Sequence, residues 1–343
     1  MGDRAPMCTV GGDDAMIPRR YVCCRTPEPP DINGRLDQPM WQRAAWTEDF
    51  VDIEGSARPA PRLRTRAKLL WDDACLYVGA EIEEPHVWAT LTEHDSVIFH
   101  DPDFEVFIDP DGDNHSYFEI EINALNTEWD LRLVKPYRDG GPALNEWEIP
   151  GLRTAVHVDG TINDPRDTDR GWSVVFAFPW AAFAEHAGCR CPPVSGDTWR
   201  INFSRVEWEV AVVDGRYVKT PGKPEDNWVW SPQGAVDMHR PETWGYVQFT
   251  DAEPDRAEFR PDPAEPVRMW LMAVYHAQRA HHDRHGRWSA SIEALGLPAP
   301  PTDATARSAR LALSPDGWTA SVDTGQETWS VRQDSRLWRE PSL

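Results

Sequence analysis

The sequence predicts a mainly β protein: an antiparallel β-sandwich of jelly-roll or immunoglobulin-like type, followed by a C-terminal appendage of one helix and a small sheet. Three observations carry this. From Ile32 to about Phe249 the chain is a succession of short alternating runs broken by turn residues, with no helix alternating between strands. Between Asp103 and Asp130 it reads DFEVFIDPDGDNHSYFEIEINALNTEWD, two alternating segments around an acidic Pro/Gly turn. After Asp251 the composition shifts to a charged, proline-rich stretch and then to apolar residues at helical spacing.

Residues 1–29 form an N-terminal extension on this reading, and 30–252 the sandwich. Within it, Arg64–Trp71 and Cys75–Ile82 are strands joined by the tight turn of WDDACLY, and Phe104, Val106 and Ile108 mark the core side of the next strand. Phe118, Ile120 and Ile122 repeat that pattern on its hairpin partner, because successive side chains of a strand point to opposite faces. Further strands are expected at Thr154–Val158, Trp172–Phe178, Thr198–Val206 and Tyr246–Phe249, with one short helix from Pro179 to His186, a proline in its first turn. Residues 253–266 read as a linker and 267–343 as the appendage. There Val267, Trp270, Leu271, Val274 and Ala277 line one helix face, Gly286 closes the helix, and runs at Ala309–Leu313, Trp318–Val322 and Thr328–Arg332 make a meander.

Length and charge exclude several functions. A chain of 343 residues buries a full core with an appendage to spare. A net charge of −22 disfavours nucleic acid and anionic membrane, whose phosphates are met by lysine and arginine. The chain contains no apolar run long enough for a membrane helix, and the segment MGDRAPMCTVGGDDAM lacks the apolar centre of a signal peptide, so a cytoplasmic protein is expected. Cys8, Cys23, Cys24, Cys75, Cys189 and Cys191 form no CxxC pair and read as reduced thiols. Oligomeric state is not legible.

The non-core face of the central hairpin carries Glu105, Phe107 and Asp109 from one strand and Tyr117, Glu119, Glu121 and Asn123 from the other. Paired strands bring Glu105 to roughly 5 Å from Glu119 or Glu121, and like charges opposed across a sheet are destabilising. A cation, an arginine or a ligand with donating hydroxyls must compensate. The turn itself, Asp109, Asp111, Asp113 and Asn114, is rich in oxygen ligands and reads as a calcium loop, although Ile120 stands where an EF-hand has its glutamate. The 18 tryptophans include Trp41, Trp71, Trp88, Trp129, Trp147, Trp228, Trp230 and Trp244 at strand ends, positions suited to stacking on the apolar face of a sugar ring.

Taken in order, INGRLDQPMW, LLWDDACLYVGAEI, DFEVFIDPDGD, GWSVVFAFPW, TWRINFSRV and HRPETWGYVQF resemble a family 9 carbohydrate-binding module, a DOMON-like β-sandwich, over about residues 30–250. The resemblance implies a saccharide ligand and a part in polysaccharide catabolism. In sugar-binding members two tryptophans clamp the ligand; here Phe99 and Met238 stand in those places. Glu105 matches the strand glutamate that bonds the sugar, Trp230 matches an aromatic before the closing motif, and His239 and Arg240 open that motif. The expected cleft therefore comprises Phe99, Glu105, Glu119, Glu121, Trp230, Met238, His239 and Arg240.

The alternative is a metal-dependent carbohydrate-active enzyme, a hydrolase or lyase, in the same cleft. His94, Asp95, His100, Asp101, His115 and His239 are its candidate ligands, and two of the hairpin glutamates its acid and base. A binding module is the leading expectation.

Overall fold

Alternation becomes strands with little change in boundaries. The structure is a computed structural model that describes residues 17–301 and 308–342; residues 1–16 of the expected extension, Cys8 among them, lie outside the described residues. The first strands are β1 (Arg20–Arg25), β2 (Val51–Asp52), β3 (Thr65–Trp71), β4 (Cys75–Glu83), β5 (Asp103–Asp109), β6 (Tyr117–Asn123), β7 (Glu128–Leu133) and β8 (Ala143–Leu144). They are followed by β9 (Arg153–Asp159), β10 (Gly171–Pro179), β11 (Thr198–Glu207), a separate hairpin of β12 (Val210–Val213) and β13 (Arg216–Lys219), then β14 (Asp226–Val229) and β15 (Gly245–Thr250).

The strands join in the order β8-β7-β6-β5-β11-β15-β1-β3-β4-β10-β9, with β14 bridging β11 and β2. This long sheet curls so that its two halves face each other across one core: Phe104 of β5 meets Phe176 of β10 with ring centroids 6.1 Å apart. The core-side residues read from alternation, Phe104, Val106, Ile108, Phe118, Ile120 and Ile122, are all buried there. Such a sandwich keeps the outer face of β5 and β6 free for other work.

Two features depart from the expected outline. Residues Arg20–Arg25, inside the stretch expected as an extension, form a strand within the main sheet and pair in parallel with both β15 and β3. The sheet is therefore antiparallel except at β1, because a segment entering from the chain's N-terminus needs no hairpin to lie beside β15. The short helix is also smaller than Pro179–His186, reduced to α1 (Trp180–Phe183). The described cysteines, Cys23, Cys24, Cys75, Cys189 and Cys191, are free thiols.

The appendage is a helix, α2 (Glu265–His285), packed on β16 (Ser308–Ser314), β17 (Gly317–Asp323), β18 (Glu327–Arg332) and β19 (Leu337–Pro341). Val267, Trp270, Leu271, Val274 and Tyr275 form its buried stripe against Trp318, Ala320, Val322 and Val331. Gly286 ends the helix at φ 67°, a left-handed turn that glycine adopts without steric cost, and its N–H bonds the His282 carbonyl at 2.7 Å. No described helix is long and apolar enough to cross a membrane.

The appendage is bound to the sandwich by polar contacts. Arg20 reaches both carboxylate oxygens of Glu265 at 3.1 and 3.0 Å. Arg138 pairs with the buried Glu242 at 2.7 Å, and His276 of α2 reaches the other oxygen of that carboxylate at 3.0 Å. Burial alone would raise the Glu242 carboxyl, but Arg138, His276 and Arg240 together hold it well below the usual carboxylate range. The expected linker is likewise pinned, with Arg260 and Gln248 exchanging hydrogen bonds of 2.8 and 3.0 Å.

Candidate functional site

Register places the acidic residues. Glu105 lies directly opposite Glu121 across the β5–β6 pair, and on its other side Ser204 of β11 is its partner; Glu119 sits opposite Phe107. Asp103, two residues before Glu105, shares the same face. One oxygen each of Asp103, Glu105 and Glu121 lies within 4.8 Å of the others. This acidic floor is nearly closed to water: Asp103, Glu105, Glu119 and Glu121 are 0, 4, 5 and 3% exposed.

Loops cover the floor with aromatic and apolar side chains. Phe99, on a single helical turn (Ile98–His100), donates its backbone N–H to Glu121 Oε2 at 2.9 Å, and Trp208 donates its indole N–H to the Phe99 carbonyl at 3.0 Å. Further along the face, Phe107, Tyr117, Leu131, Leu133 and Trp244 form a small apolar cluster on which Met238 and Trp129 pack. His239 bonds the Tyr117 hydroxyl through Nδ1 at 3.0 Å and lies edge-on to the exposed Tyr137 ring, centroids 4.5 Å apart. Burial, followed by the nearby Arg138, pushes the His239 imidazole down to about 4, so it is neutral at pH 7.

The floor is electrostatically uncompensated. Burial pushes Asp103, Glu119 and Glu121 well above the carboxylate range, and repulsion from Glu105 adds to each shift. Burial also pushes Glu105 up to about 7, against the pull of the Ser204 hydroxyl and the Asp103 carboxyl beside it. Asp103 Oδ1 accepts the Val206 N–H at 2.9 Å. Asp103 Oδ2 and Glu119 Oε2 are buried without any hydrogen-bond partner.

The turn after β5 is acidic too, yet differently furnished. Asp109 accepts the N–H groups of Gly112 and Asn114 at 3.1 and 3.0 Å, and Asp113 accepts the His115 N–H at 2.7 Å and pairs with Arg336 at 3.0 Å. Asn114 spends its amide on the Ser335 carbonyl at 2.9 Å, and the Asp113 carbonyl takes the Leu337 N–H at 3.0 Å. Asp109, Asp111 and Asp113 still bring three oxygens within 4.8 Å of one another, the donor set of the expected calcium loop. Asp109 and Asp111 bond within the turn, while Asp113 and Asn114 dock the appendage.

The structure thus brings together Phe99, Glu105, Glu119 and Glu121, with Met238 and His239 beside them, and leaves two expected residues out. Trp230 lies wholly inside the core, stacked near Phe203 and Tyr21, with its indole N–H on Glu48 at 3.1 Å. It comes two residues after Trp228, and alternation sends both inward. Arg240 turns away to the Gln233 carbonyl at 2.8 Å and to Glu242. Most of the tryptophans expected as platforms, Trp41, Trp71, Trp88, Trp228 and Trp244, are buried packing; Trp129 and Trp147 are half-buried.

The histidines do not assemble either. His94 pairs with Glu148 at 3.0 Å near Asp95 and Asp130, Asp101 accepts from Thr90, Leu91 and Asn123, and His115 contacts the Asp334 carbonyl. Among the described residues no cluster of metal-capable side chains contains two histidines. Sequence reasoning missed Asp103, Ser204, Tyr137 and Trp208. Asp103 was findable from its parity with Glu105; the others reach the site only through tertiary contacts.

Residues 32–161 match the family described as carbohydrate family 9 binding domain-like. Among solved structures, the chain is similar to a family 9 carbohydrate-binding module of Caldicellulosiruptor kristjanssonii in complex with cellotriose: 17% identity, 71% of this chain and 100% of that one covered, TM-score 0.45. The module of that organism in complex with glucose gives 16%, 70%, 100% and 0.44. A candidate carbohydrate-binding protein from Bacteroides uniformis gives 15%, 67%, 99% and 0.49. No curated protein matches the chain.

Proposed function

We propose that the sandwich binds a saccharide over the outer face of β5, β6 and β7. The observation that carries this reading is the site's construction inside the family 9 segment: a floor of carboxylates under a rim of Phe99, Trp129, Tyr137 and Met238. Carboxylate oxygens accept hydroxyl protons without needing donors of their own, and an aromatic or thioether rim covers the C–H face of a pyranose. Phe99 and Met238 offer less area than two tryptophans. Roughly 2 to 4 kcal/mol of apolar contact with a few hydrogen bonds gives a Kd in the micromolar to millimolar range.

Catalysis in the same cleft is the weaker reading. Glycosidic cleavage places its two carboxyl groups on either side of the scissile bond, whereas Glu105, Glu119 and Glu121 all project from one sheet face. A role in polysaccharide catabolism follows as delivery or retention of substrate for another protein.

Calorimetric titration of the full chain with glucose, cellotriose and other soluble oligosaccharides tests the reading. Saturable binding is expected, weakened at least about tenfold by Phe99→Ala, with the sugar recovered intact. Folded protein that binds none of them, or releases cleaved products, overturns it.

A further inference from the structure

We propose that the acidic floor is a binding site for one hard divalent cation, calcium or manganese in class, held by Asp103, Glu105 and Glu121, with Glu119 next to Glu105 on the same face. The saccharide would complete its coordination sphere; that second half rests on the function proposed above, whereas the cation site does not.

Geometry is the first ground. Oxygen ligands stand about 2.3 to 2.6 Å from such a cation, so two on opposite sides of it are separated by about 4.6 to 5.2 Å. The Asp103, Glu105 and Glu121 oxygens, all within 4.8 Å of one another, fit inside a single sphere. The second ground is independent of that trio. Glu119 is 5% exposed, feels Glu105 as its main charged neighbour, and has Oε2 buried with no partner. Asp103 Oδ2 is orphaned in the same way. A buried polar oxygen with no partner is destabilising, and folds rarely leave one unmet.

Elsewhere the chain compensates buried carboxylates with its own side chains. Glu84 and Glu207 flank Arg205 at 2.7 Å each, Glu242 has Arg138, and Glu265 has Arg20. On the floor Arg205 acts on Asp103, but less than burial and the neighbouring Glu105 and Asp101 carboxyls. Protons shared among these carboxyls relieve the repulsion between Glu105 and Glu121 when no cation is bound, and a cation displaces them. An ammonium group offers three N–H donors, one for each carboxylate and none beyond, whereas a cation that takes six to eight oxygens accommodates all three and keeps places for hydroxyls.

The test uses the full chain, stripped with EDTA and titrated calorimetrically with calcium, manganese and magnesium chlorides. One cation per chain is expected, with release of protons and a rise in melting temperature. Glu105→Gln and Glu121→Gln should each weaken binding at least about tenfold, because affinity follows ligand charge, while Asp113→Asn leaves it unchanged. Circular dichroism of the stripped variants should match wild type, since removing one of two opposed charges relieves the sheet. No stoichiometric binding of any of the three cations overturns the proposal. So does binding that survives both glutamine variants but is lost in Asp113→Asn, which assigns the ion to the turn. Sugar binding that persists undiminished in EDTA overturns the shared coordination sphere and keeps the saccharide, the cation site being decided by the titration; a bound cation with no saccharide affinity keeps the cation and overturns the saccharide.

Discussion

Strand β5 has an acidic group at each end, and the two have opposite fates. At the turn, Asp109 and Asp113 are occupied by backbone N–H groups and Arg336, and Asn114 by the Ser335 carbonyl. About four residues back along the strand, roughly 13 Å at ~3.3 Å per residue, the floor of Asp103, Glu105, Glu119 and Glu121 keeps two orphaned oxygens and no ion pair of its own. Density of acid is similar; the tally of partners is not. At the turn Asp113 and Asn114 hold the appendage, whereas the floor's carboxyls meet no such partner among the described residues.

The largest effect that would break this contrast is at the turn. Asp109→Ala removes the acceptor of two backbone N–H groups, one on the fully buried Asn114, and should lower stability by about 2 to 3 kcal/mol in urea unfolding. Glu119→Gln on the floor should be neutral or stabilising in EDTA by up to about 1 kcal/mol. Equal losses at the two places would erase the distinction.

Stability against pH sharpens it. Glu105 is raised in the folded state from 4.5 to about 7, and Asp103, Glu119 and Glu121 are raised with it. A folded protein that binds protons more tightly than the unfolded chain loses stability as they dissociate. In EDTA the floor's contribution is therefore fully present below about pH 4.5 and is lost as pH rises through 7. Asp111, pushed up to about 7 by burial and by Asp113, adds the same slope from the turn, while Glu242, held low, adds the opposite slope in acid. The difference between wild type and Glu105→Gln isolates the floor: the variant's melting temperature should fall less between pH 5 and pH 8. Parallel curves would remove Glu105 from the account.

The smallest expected effect is that of Arg336→Ala. Arg336 is 47% exposed, so its pair with Asp113 contributes at most about 1 kcal/mol, and that little should vanish at high salt. A larger loss would mean that the turn depends on this single cation more than on its backbone donors.

Sequence alone determined the strands and the sharing of faces. A period of two puts Phe104, Val106 and Ile108 on one side and Glu105, Phe107 and Asp109 on the other whatever the strand pairs with; it left Glu105 against Glu119 or Glu121, and the register of the pair chose Glu121. The helix was equally legible from Val267 to His285, because its stripe and its Gly286 end are local signals, although it begins two residues earlier, at Glu265 inside the expected linker. Tertiary structure decided what each face met. Ser204 came to Glu105 from a strand about a hundred residues away, Trp230 turned inward to Glu48 and Phe203, and β1 slid in parallel between β15 and β3. The fate of the two acidic groups was settled in the same way: Arg336 and Ser335 reach the turn from the far end of the chain, and among the described residues no lysine or arginine pairs with Glu119 or Glu121. Periodicity is a property of neighbours along the chain, whereas the pairing of a buried charge depends on which distant side chain the fold delivers to it.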